Sequence, residues 1–170
     1  MLNEELKDQI LQTKLTYLNA YLDALELINS YSVIGMSYKL FAFNFSAGNI
    51  HKAIQDNSYE LFGVYPNDWE FKINECKNWK EKLESELKSN FNRRNYNSLP
   101  ESELVKDLKH SINSSIDYFI NLLKNEFAEN SYNIYELSLT KASFYRIVGI
   151  DLIFEIDNTK IIFLQIIGSD

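Results

Sequence analysis

The chain predicts an α+β protein, helices packed on a small antiparallel sheet, and three observations lead there. Leucines recur at steps of three and four through the N-terminal segment, the period of a helix with one buried face. From Asn130 onward apolar and polar residues alternate, the period of a strand. The last stretch, Leu152 to Asp170, holds two apolar runs about a polar turn. With 170 residues and no convincing linker, one domain over 1–170 is expected, helical over about 1–129 and β over about 130–170.

The first helix is expected over 3–29, with Asn3 as N-cap, Glu4 and Glu5 in its first turn, and Leu11, Leu15, Leu18, Leu22, Leu25 and Ile28 on its buried face. The segment 31–63 carries two signals. Phe41, Phe43 and Phe45 alternate as in a strand, whereas Ile34, Tyr38, Phe41, Phe45, Ile50 and Ile54 keep one helical face apolar. The longer pattern favours helix here. Asp68 then caps a helix over 69–92 with Ile73, Cys76, Leu83, Leu87 and Phe91 inward and four-residue charge pairs such as Lys80 with Glu84 outward. Ser98-Leu99-Pro100-Glu101 has capping-box spacing and opens a helix to about 129, buried through Leu104, Leu108, Ile112, Ile116, Phe119 and Leu123. Beyond it, Tyr132, Ile134, Glu136 and Ser138 share one strand face; Tyr135, Leu137 and Leu139 share the other. Three or four antiparallel strands are expected. Both faces of Ile161 to Ile167 are apolar, which places that strand centrally.

Composition excludes several functions. A net charge of −7 repels phosphate backbones, so nucleic acid is not an expected partner. Cys76 is the one cysteine, which rules out an intrachain disulfide. The charged, mixed N-terminus is unlike a secretory signal, and no run of about 18 apolar residues occurs, so a cytoplasmic protein that does not enter membranes is expected. Neither His51 nor His110 has a metal partner at a recognisable spacing, and the five glycines form no phosphate loop; no metal, cofactor or catalytic set is expected. Glu136, Asp151, Glu155 and Asp157, mixed with Tyr132, Tyr135 and Tyr145, make the candidate binding surface. Acids supply on-rate toward a basic partner and aromatics supply anchors.

Two resemblances bear on function. The run Gly149-Ile150-Asp151-Leu152-Ile153-Phe154, a turn, and Ile161-Ile162-Phe163-Leu164-Gln165-Ile166-Ile167 resembles the hairpin of PD-(D/E)xK nucleases. Asp151 matches that family's first Asp. Gln165-Ile166-Ile167 replaces its (D/E)-x-K tripeptide, which the family uses with Mg²⁺ to activate water. In character, a small acidic chain without catalytic motifs and with a short apolar terminal hairpin resembles immunity proteins of interbacterial toxin systems, including contact-dependent growth inhibition. That resemblance implies a non-enzymatic cytoplasmic inhibitor that binds a cognate basic toxin, often a nuclease. A divergent nuclease and a homo-oligomeric adaptor are the alternatives.

Overall fold

The computed structural model describes residues 4–29, 35–45, 49–63, 70–92, 102–128, 131, 133–139, 148–157 and 159–169. Among them the elements run α1 (Glu4–Asn29), β1 (Gly35–Asn44), α2 (Ile50–Asp56), α3 (Ser58–Phe62), β2 (Phe71–Glu75), α4 (Trp79–Asn92), α5 (Glu103–Glu126), β3 (Asn133–Leu139), β4 (Val148–Glu155) and β5 (Lys160–Ser169). The five strands form one antiparallel sheet in the order β1-β5-β4-β3-β2. The fold is α+β, with β5 in the interior of the sheet, as its two apolar faces require.

Two segments depart from the sequence reading. Residues 35–44, expected as helix, form β1, because Phe41 and Phe43 alternate toward Phe163 of β5, with ring centroids 6.5 and 6.3 Å from it. The expected helix over 69–92 begins ten residues later, at Trp79. Phe71–Glu75 instead adds β2 to the edge of β3, and the Cys76 N–H extends that ladder to the Ile134 carbonyl (2.8 Å). The first 129 residues are therefore not purely helical: they supply both outer strands. In α5 the N-cap is Ser102, whose hydroxyl accepts from the Val105 N–H (3.3 Å). Leu104 (77% exposed) and Leu108 (38%) face outward rather than inward.

Helices cover both faces of the sheet. On one face α1, α4 and α5 meet Tyr38, Leu40, Ile150, Leu152, Phe154, Ile162, Leu164 and Ile166. On the other the short α2 and α3 place Ala53, Ile54 and Leu61 against Phe71, Leu137, Ile153, Ile161 and Phe163. Each fully buried side chain of this size contributes about 1.5–3 kcal/mol. Gly149 sits at φ 136° where β4 approaches β5, and a Cβ there would collide with the Ile166 carbonyl. Only glycine fits. No helix among the described residues is long and apolar enough to cross a membrane.

Candidate functional site

The acids chosen from sequence do not gather on one surface. Glu136 lies on the sheet face covered by the long helices, in an ion pair with Lys82 of α4 that raises the lysine's pKa, chiefly through the hydrogen bond. Glu155 points to the opposite face, where its Oε2 accepts from Asn133 Nδ2 (2.8 Å) and the Tyr135 hydroxyl (3.3 Å). Burial first, then Glu155, pushes the Tyr135 phenol up. Asp157 shapes the β4–β5 turn: its Oδ1 accepts from the Thr159 N–H (2.7 Å), the Thr159 hydroxyl (2.7 Å) and the Lys160 N–H (2.8 Å). Partial burial opposes ionisation there, but these bonds and the Lys160 charge together outweigh it and hold the carboxyl below its usual range. Tyr132 and Tyr145 lie outside the described residues.

Asp151 is fully buried, so it cannot belong to a docking surface. It stands opposite Gln165 across the β4–β5 ladder, the juxtaposition a nuclease-like hairpin would need. What Gln165 meets is a helix. Gln165, 4% exposed, donates its Nε2 to the Leu61 carbonyl at 2.7 Å. A five-residue helix such as α3 leaves its last carbonyls without intrahelical partners, and Gln165 satisfies one of them from the sheet. Among the described residues no three His, Cys, Asp or Glu side chains come together in a way that would hold a metal ion. Cys76 is buried between β2 and α4, where desolvation pushes its thiol up, the direction opposite to an activated nucleophile. His51 stacks on Phe71 with centroids 4.3 Å apart.

A pair of exposed tyrosines lies on the seam of α1 and α5. Tyr17 (52% exposed) and Tyr118 (51%) stand beside the half-buried Tyr21, whose ring lies 5.6 Å from Tyr118 and 6.0 Å from Phe119. The Tyr21 hydroxyl donates to the Ser115 carbonyl (3.1 Å), fixing the middle ring. A hydrogen bond with Tyr118 raises the Tyr17 pKa, so the Tyr17 phenol stays neutral near pH 7. The seam continues, through Lys14 and Glu126 (2.9 Å apart), into a groove of about 560 Å³ between α1, the end of α5 and the β4–β5 turn. Ile10, Leu11, Phe127 and Ile156 line it. Its rim lysines already meet acids, Lys7 with Glu4 (2.8 Å), Lys14 with Glu126 and Lys160 with Asp8, which leaves the groove better suited to an apolar side chain than to an anion.

The sequence reading passed over these tyrosines. A signal existed: Tyr17 and Tyr21 are four apart and off the leucine stripe, so they flank the buried face of α1 rather than join it.

No family model and no curated protein matches the chain.

Proposed function

We propose that the chain is a non-enzymatic binding protein of the immunity type, which neutralises a basic toxin domain by covering its working surface. The observation that carries this reading is the pair of half-exposed tyrosines, Tyr17 and Tyr118, braced by Tyr21 on two long helices. Tyrosine is among the residues that dominate binding energy at protein interfaces, and a ring already ordered on a helix loses little freedom on docking. The net charge of −7 adds attraction for a cationic partner and speeds its encounter. The nearby apolar groove can take a side chain beside the tyrosines.

The nuclease alternative has less support, because Asp151 is buried opposite Gln165, and Gln165 bonds to α3. Calorimetry against a toxin domain encoded beside this gene tests the proposal. Nanomolar affinity is expected, weakened about 30-fold or more in Tyr17→Ala or Tyr118→Ala. Affinity of micromolar or weaker, or tight binding indifferent to both substitutions, counts against it. A tyrosine-dependent dimer in light scattering would assign the ridge to a second copy instead.

A further inference from the structure

Among the described residues, the outer edge of β1 is closed over part of its length and open over the rest. Asn19 of α1 donates its amide to the Leu40 carbonyl (3.0 Å) and accepts from the Leu40 N–H (2.8 Å), imitating a neighbouring strand. Seven residues on, Glu26 accepts from the Tyr38 N–H (3.0 Å). Seven residues back lies Gln12, which with Ala42 lines an open groove of about 390 Å³ and whose side chain forms no hydrogen bond among the described residues. The alternation of an antiparallel strand settles which groups point out. Phe45 donates inward to the Thr159 carbonyl (2.7 Å), and Tyr38 and Leu40 bond outward to α1, so Ala42 and Asn44 also turn N–H and C=O outward. Both line the groove, between Gln12 and Leu15 on one side and Asn57 and Glu60 on the other.

We propose that these open rungs, Ala42 and Asn44, bind an extended, positively charged segment of another protein as an added strand. Unpaired strand-edge groups specify the shape of the occupant, since only an extended backbone presents donors and acceptors at their spacing. Its charge is specified by the exposed Glu60 on the wall and by the overall −7. The groove runs on past Asn44 and Asn57 into a second of about 380 Å³ beside Asp56 and Lys52, so a segment longer than two residues has room. Through its own β1 a second copy could pair over Ala42 and Asn44 alone, because its α1 occupies Tyr38 and Leu40.

The test uses a capped pentapeptide of alternating lysine and valine, and its counterpart N-methylated at every amide, which keeps the charge and loses the donors. Amide NMR of the full chain is expected to show shifts and slowed exchange at Ala42 and Asn44 with the first peptide, and at least about tenfold weaker binding of the second. Ala42→Pro removes an outward N–H without touching the β5 ladder, and should weaken the first peptide to the same degree. Equal affinity of the two peptides, or shifts confined to other surfaces, overturns the proposal. So does a dimer that Ala42→Pro dissociates, which would give the edge to a second copy. If the proline variant fails to fold, the peptide comparison decides alone. Tyr17→Ala should leave peptide binding unchanged, so failure here is separable from failure of the tyrosine ridge.

Discussion

At the residue scale, two positions in the terminal hairpin, Gly149 and Asp157, fix the local backbone. Gly149 holds a positive φ within a strand and lies against the Ile166 backbone. Gly149→Ala combines backbone strain with a main-chain collision, and a loss of about 2–4 kcal/mol in urea unfolding is expected. A loss under about 0.5 kcal/mol would mean that β4 relaxes freely there. Asp157 makes a pH-dependent contribution of definite sign. Its folded pKa is depressed, so its stabilisation is fully present above the unfolded value of 3.8 and disappears as pH falls through the folded one. Asp157→Asn should therefore be less stable than the parent at pH 7, by about 1 kcal/mol, and converge with it near pH 2. A constant difference between pH 7 and pH 2 would show that geometry, not charge, is what the turn needs.

At the element scale, legibility follows the range of the deciding interactions. α1 was readable because Leu15, Leu18, Leu22 and Leu25 face one direction, although Ile28, expected beside them, turns outward, and β5 because both its faces are apolar. β1 was not, although the alternation of Phe41 and Phe43 was visible, since the partner that decides between the two periods is β5, more than a hundred residues away. The misassigned leucines of α5 have a simpler cause: four-residue steps advance about 40° beyond a full turn, so Leu104 and Leu108 rotate away from the face that holds Ile112 and Ile116. For the candidate site, the acids were visible but their sheet faces depended on pairing, and the burial of Asp151 depended on packing across the whole chain. α3 itself depends on the sheet through Gln165. Gln165→Leu keeps the volume and orphans the Leu61 carbonyl, so about 1–3 kcal/mol should be lost, with amide exchange accelerated first in α2 and α3. Uniform acceleration across the chain would argue against a local latch.

At the scale of the whole molecule, the order of the sheet decides whether the helical and β halves are separable. β1 comes from the first part of the chain yet pairs along its whole length with β5 from the last, and β2 from the first part edges β3. Trp79 of α4 packs edge-on against Phe154 of β4 with centroids 5.4 Å apart, so the helical layer also borrows its floor from the terminal strands. A fragment of residues 1–129 would leave β1 and β2 without partners and uncover Leu18, Leu83, Ile116 and Phe119, each fully buried in the intact chain. It should retain helical far-ultraviolet dichroism, lose near-ultraviolet signal from its tryptophans, bind a hydrophobic dye and show poorly dispersed amide NMR, the signature of a collapsed chain without fixed packing. The intact protein should unfold in one transition that far- and near-ultraviolet probes report at the same denaturant concentration. A fragment with a dispersed spectrum and its own cooperative transition would mean that the helices hold a core of their own. The interlacing of early and late strands would then be an addition to a fold already complete, and not the condition for it.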